Sequence, residues 1–185
     1  MKRIALIALA LLITVSAMAQ ETGYLPGAII TAENERIEGL VKNVNLIPAH
    51  ILENIKFKTG EGEKAKSYSP TEILGYEQDG NFFVSKKTST GTTLFVKKFN
   101  TGRLRLYGEL AFDGSASYRV IHVPYIQIEG DPVIRLVQKV SFRKQLLDYL
   151  KDAPSVCELI KNKSLKWKNI AEIVNRYNAE VQGGK

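Results

Sequence analysis

The chain of 185 residues is 44% hydrophobic and 24% charged, a globular composition that excludes a disordered, a collagen-like or a disulfide-scaffold protein. Its formal net charge of +7 is mildly basic, and no recognised binding motif accompanies the lysines and arginines, so we expect no nucleic-acid partner. With one cysteine and two histidines, the sequence excludes an intramolecular disulfide and favours neither a metal centre nor a cofactor.

Residues 1–19 have the three parts of a secretory signal peptide. Met1-Lys2-Arg3 is positively charged, Ile4 to Val15 is apolar, and Ala17-Met18-Ala19 fits the small-x-small cleavage pattern. We predict cleavage after Ala19 and export to the periplasm or the extracellular space. The apolar stretch is shorter than the roughly 20 residues of a membrane span. No cysteine at the cleavage point could carry a lipid, so we do not expect a lipoprotein.

Residues 20–140 alternate short apolar runs with turn signals, which is typical of antiparallel strands. Within this part, Ser69-Pro-Thr-Glu72 has the pattern of a capping box, and we predict one helical turn there. The segment Gly60 to Lys66 is predicted to be a solvated loop. The predicted strands lie at 28–31, 37–41, 55–58, 73–76, 81–85, 94–97, 104–112, 118–128 and 133–137.

Residues 141–182 have helical periodicity instead. Ser141 is a predicted N-cap, Pro154 begins a second helix, and Ser164 is predicted to cap a third. Two apolar stripes follow helical spacing: Phe142, Leu146, Leu147 and Leu150, then Trp167, Ile170, Ala171, Val174, Tyr177 and Val181. Such stripes need an apolar surface to cover. We therefore predict an α+β protein: an antiparallel β part, sheet, barrel-like or sandwich, with two to three C-terminal helices packed on it and sharing its core.

Cys157 lies among apolar residues just after Pro154. In an oxidising compartment an unpaired cysteine is either a buried inert thiol or an intermolecular bridge. The apolar neighbours favour the buried thiol, because a free cysteine behaves as a small hydrophobic residue.

Ser141-Phe-Arg-Lys144 has the Ser-x-x-Lys spacing of penicillin-binding enzymes. A Lys-Thr-Gly triplet occurs at Lys58-Thr59-Gly60, but it precedes the serine motif, whereas in those enzymes it follows. The chain is also too short for that fold. We therefore interpret Ser141 as a helix cap.

The remaining polar residues form no complete site. His50 and His122 lack metal-ligand spacing, and no EF-hand pattern surrounds the acidic turns. These turns contain Glu33, Glu35, Glu38, Glu129 and Asp131, and we interpret them as solvated. The lysines at 161, 163, 166 and 168 are interpreted as a solvated face.

Candidates for a glycan-binding aromatic surface are Tyr24, Tyr76, Tyr107, Tyr118 and Tyr125, most of them expected in the core or at its rim. We assign no catalytic, cofactor-binding or metal-ligating residue.

The order of several segments resembles a family of small exported proteins of unknown function that is widespread in Bacteroidota. The resemblance extends from about Tyr24 to Asn178 and implies export and an envelope setting, with no catalytic residue. It rests on Gly27-Ala-Ile-Ile-Thr31, Ile37-Glu-Gly39, Tyr68 to Tyr76, Phe83-Val-Ser-Lys86, Leu104-Arg-Leu-Tyr107 and Tyr177-Asn178. The first hairpin turn, Asn34-Glu-Arg-Ile37, and Ala153 before Pro154 depart from the family pattern, which indicates a divergent member.

These observations favour a non-enzymatic envelope or secreted protein that binds a protein or glycan partner through its β surface. The alternative is a small hydrolase acting on envelope polymers, with Glu129 or Asp131 as its acid. A structural subunit of an envelope complex is the third hypothesis. The ligand, the side of the outer membrane and the oligomeric state stay open.

Overall fold

A computed structural model describes residues 23–43, 53–112 and 120–183, in two compact units, Met1–Ser85 and Lys86–Lys185. The described strands are β1 Tyr24–Thr31, β2 Arg36–Lys42, β3 Ile55–Lys58, β4 Lys66–Tyr68, β5 Ile73–Gln78, β6 Asn81–Lys87, β7 Thr93–Lys98, β8 Leu104–Phe112, β9 Val120–Ile128 and β10 Arg135–Leu136. The helices are α1 Phe142–Tyr149, α2 Pro154–Lys161 and α3 Ile170–Gly183, with a 3₁₀ turn at Trp167–Asn169. The predicted α+β class, antiparallel strands followed by helices, is confirmed. The predicted signal peptide, residues 1–19, lies outside the described residues.

The first unit is an antiparallel sheet in the order β6-β5-β1-β2-β3-β4, with the last two residues of β6 belonging to the second unit. The β5-β6 hairpin turns at Asp79-Gly80, whose φ angles of 48° and 71° are those of the tight turn that matches strand twist. Its core includes Ile29, Val41, Phe57 and a stacked pair, Tyr76 and Phe83, with ring centroids 4.6 Å apart.

The predicted helical turn at Ser69 does not form a helix. One of the two capping-box contacts is present, since the Glu72 carboxylate accepts the Ser69 N–H at 2.7 Å. The Ser69 hydroxyl donates to the same carboxylate at 2.7 Å, and the Glu72 N–H bonds to the Ser69 carbonyl instead of to the hydroxyl. The turn does not continue into a helix, because the chain enters strand β5 at Ile73. A single turn is costly to nucleate without helical residues after it, and the β-branched Ile73 favours the strand.

The second unit contains an antiparallel sheet in the order β10-β9-β8-β7. The β8-β9 ladder is long, running from Leu104 opposite Ile128 to Phe112 opposite Val120. Leu104, Leu106 and Ile126 form a buried core with all three helices, so the helices pack on one face of this sheet. Neither unit's described strands close into a barrel. Among the described residues, no helix is long and apolar enough to cross a membrane.

Two details of the helices differ from the sequence prediction. Ala171 is exposed, and Ile173 is fully buried in its place. The third helical segment begins with the 3₁₀ turn at Trp167, whose N-cap is Lys166, rather than directly after Ser164. Because a 3₁₀ turn winds more tightly than an α-helix, the buried face of α3 passes through Ile173, Val174 and Tyr177.

Candidate binding groove

An open groove of about 1160 Å³ lies on the second unit, between α1, β10 and the turn after β6. Most of the residues that line it carry hydroxyl, amide or charged groups, and one carries a phenol, although apolar atoms supply more of the lining surface than polar atoms do. These side chains belong to Ser89, Thr90, Arg135, Gln138, Ser141, Lys144, Gln145, Asp148 and Tyr149. Leu136 and Leu147 supply the apolar part. The composition suits a ligand recognised by many hydrogen bonds.

The walls of the groove are tied together by backbone and amide contacts. The turn after β6 is fixed because the Ser89 N–H donates to the Ile134 carbonyl at 3.0 Å and Thr88 forms a bridge with Ile134. On the opposite wall, Gln145 of α1 donates to the Leu136 carbonyl of β10 and accepts the Gln138 N–H. The groove is therefore shaped before any ligand arrives.

Arg135 is a cation of the groove whose position is fixed by its neighbours, Tyr149 and Asp131. Its guanidinium lies over the Tyr149 ring, 5.3 Å from the centroid, a cation–π arrangement. Its Nη2 is 3.4 Å from Asp131 Oδ1, and the Tyr149 hydroxyl donates to Asp131 Oδ2 at 2.6 Å. The same hydroxyl accepts the Ile128 N–H at 2.9 Å. The Tyr149 side chain thus contacts strand β9, the Asp131 carboxylate and the Arg135 guanidinium.

The electrostatics of Asp131 follow from these contacts. The hydrogen bond from Tyr149, with a smaller contribution from Arg135, holds the pKa of the Asp131 carboxyl below its usual value. Asp131 therefore stays ionised and keeps Arg135 in place. Burial, and then the bond to Asp131, raise the pKa of the Tyr149 phenol.

One hydrogen-bonding group of Arg135 stays unused. Its Nε is buried and has no hydrogen-bond partner, although the side chain as a whole is 40% exposed. An orphaned buried donor costs about 1 to 3 kcal/mol.

Ser141 and Lys144 of the Ser-x-x-Lys motif both line the groove. Ser141 occupies the N-cap position of α1 as predicted, but its side chain makes no capping bond. The hydroxyl donates instead to Gln138 Oε1 at 3.1 Å. This bond directs the serine toward an amide rather than a base, so the contact supplies no activated nucleophile.

Glu129 and Asp131, the acids of the hydrolase hypothesis, have different surroundings. Glu129 is exposed and pairs with Arg105 at 2.6 Å, whereas Asp131 belongs to the Arg135 and Tyr149 network. The solvated interpretation fits Glu129 and is wrong for Asp131, whose side chain is only 20% exposed. Glu33, Glu35 and Glu38 of the first unit are exposed, as expected.

Histidine provides no metal centre in the described part of the chain. His122 packs edge-on against the Phe99 ring, with centroids 5.1 Å apart. Burial, and then the charge of Lys97, lower the pKa of the His122 imidazole. His50 lies outside the described residues, among which no group of three or more potential metal ligands occurs.

The predicted aromatic candidates are mostly interior residues. Tyr76, Tyr107 and Tyr125 are buried, Tyr24 is half-buried, and Tyr118 lies outside the described residues. The tyrosine that does line the groove, Tyr149, was not among these candidates. The lysines at 161, 163, 166 and 168 are all exposed, as predicted.

No protein-family model, curated protein or solved structure matches this chain.

Proposed function

We propose that this is an exported, non-enzymatic envelope protein that binds a glycan in the groove beside α1. The observation that carries the proposal is Arg135, held over Tyr149 by Asp131 within a groove of hydroxyl and amide groups. Export rests on the signal-peptide pattern of residues 1–19, and the envelope setting on the resemblance to exported Bacteroidota proteins.

A glycan suits this groove better than a protein partner does. The centre of a protein interface is usually depleted of charged residues and rich in apolar and aromatic side chains. Here Arg135, Lys144 and Asp148 lie among hydroxyl and amide side chains. Sugar hydroxyls both donate and accept hydrogen bonds, so they can pair with all of these groups.

The hydrolase alternative has less support. The general acid of a glycosidase needs a raised pKa in order to hold its proton, and the pKa of Asp131 is shifted the opposite way. Glu129 is exposed and bonded to Arg105. Neither carboxylate has the surroundings of a general acid.

The test is a glycan array probed with fluorescently labelled protein that begins at Gln20. Arg135→Met removes the positioned charge, and Arg143→Met is the matched control, because Arg143 is exposed on α1 but does not line the groove. We expect glycan signals that Arg135→Met loses and Arg143→Met retains. Equal signals from both variants, or none from the unmodified protein, would contradict the proposal. Release of reducing sugar from a bound glycan would favour the hydrolase.

A further inference from the structure

Three cations, Lys86, Lys98 and Arg105, lie around Tyr107 on the face of the second unit's sheet that is opposite to the helices. Side chains alternate between the two faces of a strand, so while Leu104 and Leu106 of β8 pack against the helices, Arg105 and Tyr107 point to the other side. Lys98 of β7 lies directly across from Tyr107 in the ladder. Lys86 of β6 places its Nζ 5.7 Å from the centroid of the Tyr107 ring.

The ring under these cations is fixed in position. Tyr107 is 1% exposed, and its hydroxyl donates to Oε1 of Gln127 at 3.0 Å. The amide of Gln127 in turn donates to the Asp131 carbonyl at 2.7 Å. Burial and this chain of hydrogen bonds therefore hold the Tyr107 ring in one position.

The charges beside Lys86 are only partly balanced, because a carboxylate pairs with Arg105 but none in the described part of the chain pairs with Lys86. Burial lowers the pKa of the Lys86 ammonium, and the charges of Arg105 and Lys98 lower it further. Glu129 pairs with Arg105, but its own side chain is 64% exposed. The other carboxylate on this face, Glu109, accepts the hydroxyl of Tyr125. Like charges held together at a half-buried place destabilise the fold, and such arrangements are typical of ligand sites.

We infer that Lys86, Lys98 and Arg105 form a binding site for a tetrahedral oxyanion, phosphate or sulfate. The anion would take over the bond that the Arg105 guanidinium now makes to the exposed Glu129 carboxylate, and the two ammonium groups would act as point charges beside it. The anion would relieve the repulsion among the three cations. This site lies on different residues from the groove and does not depend on the proposed glycan binding.

The experiment measures the melting temperature of the protein that begins at Gln20, with added sodium phosphate, sodium sulfate, glucose 6-phosphate or glucose. Sodium chloride at equal ionic strength corrects for general screening. We expect phosphate and sulfate to raise the melting temperature in a saturable manner and glucose to have no effect. Glucose 6-phosphate distinguishes the source of the group: protection at lower concentration than phosphate indicates a sugar-borne phosphate, and equal protection indicates the free anion.

Lys86→Gln is the central variant, because it removes the charge and keeps a polar side chain that is only one atom shorter. Without anion, it should melt at the same or a higher temperature than the unmodified protein, since the repulsion is relieved. With phosphate, its apparent dissociation constant should rise at least tenfold. The control is Lys87→Gln, which removes an exposed charge from the neighbouring residue, on the opposite side of the strand, and should respond as the unmodified protein does.

Lys98→Gln, at an exposed position, gives a second test if Lys86→Gln is poorly folded, and it should also weaken phosphate binding. The inference is wrong if chloride protects as well as phosphate does, if no anion protects, or if Lys87→Gln weakens binding as much as Lys86→Gln. If Arg135→Met loses glycan binding but still binds phosphate, the result supports an anion site that is separate from the groove.

Discussion

The side chain of Asn178 binds both backbone groups of Leu104. Its Oδ1 accepts the Leu104 N–H and its Nδ2 donates to the Leu104 carbonyl, each at 2.8 Å. A helical residue thus supplies the two hydrogen bonds that a neighbouring strand would otherwise make at the start of β8. Gly102 makes the approach possible, because a Cβ there would lie 2.9 Å from the Asn178 side chain, and its φ of +130° is one that other residues rarely adopt.

Asn178→Leu should therefore be strongly destabilising. The variant keeps a similar volume but leaves the Leu104 N–H without a partner, while the Leu104 carbonyl keeps only the bond from Asn100 Nδ2 at 3.0 Å. One buried orphan costs about 1 to 3 kcal/mol, and we expect the free energy of unfolding in urea to fall by about that amount. Asn175→Leu makes the same change at an exposed position of α3 and should have little effect. Equal losses in the two variants would contradict the role of Asn178.

The buried face of α3 can be tested by comparing Ile173→Ala with Ala171→Lys. Ile173 is fully buried in the helical core, so its truncation should cost about 2 to 5 kcal/mol. Ala171 is exposed, and its replacement should change stability by less than about 0.5 kcal/mol. Urea unfolding measures both. A large loss in Ala171→Lys would instead support the face predicted from the sequence.

Tyr149→Phe should weaken the pH dependence of stability. The pKa of Asp131 is lowered in the folded protein, so its ionised form contributes stability above the unfolded pKa of about 3.9. This contribution is lost as the pH falls through the lower folded value. Removing the phenol hydroxyl takes away the main cause of the shift. The destabilisation by Tyr149→Phe should therefore be larger at pH 7 than at pH 2.5, as measured by chemical denaturation.

Asp131→Asn provides the control for this pH effect. In the Asp131→Asn background no carboxylate titrates at this position, so the additional cost of Tyr149→Phe should be the same at both pH values. A pH-dependent cost in that background would show that another group causes the effect.

Gly39 of the first unit has no room for a side chain. A Cβ there would lie 2.4 Å from the Lys58 carbonyl oxygen and 2.6 Å from the Phe57 ring. Gly39→Ala should force β2 and β3 apart and cost about 1 to 3 kcal/mol, the usual range for overpacking. Gly60→Ala is the matched control, since the nearest atom to its Cβ is 4.0 Å away. Thermal unfolding of the two variants decides whether this close approach is needed.

Local patterns predicted most of the strands and helices because those elements depend on short-range signals. Asp79-Gly80 marks a hairpin through its positive φ angles, and Pro154 begins a helix as expected. The segment Lys66–Tyr68 forms β4, although Lys66 was predicted to lie in a loop. A strand of three residues with a single aromatic side chain is too short to show the alternation of apolar and polar residues that identifies a strand.

The groove could not be predicted from the sequence because its central contacts are tertiary. Tyr149 and Asp131 are 18 residues apart and lie on a helix and a turn. Only the spacing of Asp131 and Arg135, four residues apart, was visible along the chain. Without a continuous helix, that spacing does not indicate contact.

Cys157 gives the molecule an internal reporter of transient opening. It is the single cysteine of the chain, it is 6% exposed, and its thiol donates to the Leu150 carbonyl at 3.2 Å. Burial also raises the pKa of the thiol, so little of the reactive thiolate forms while the core is closed. The rate of alkylation under native conditions therefore measures how often the core around Cys157 opens. The same protection keeps folded copies from joining through an intermolecular bridge in an oxidising medium.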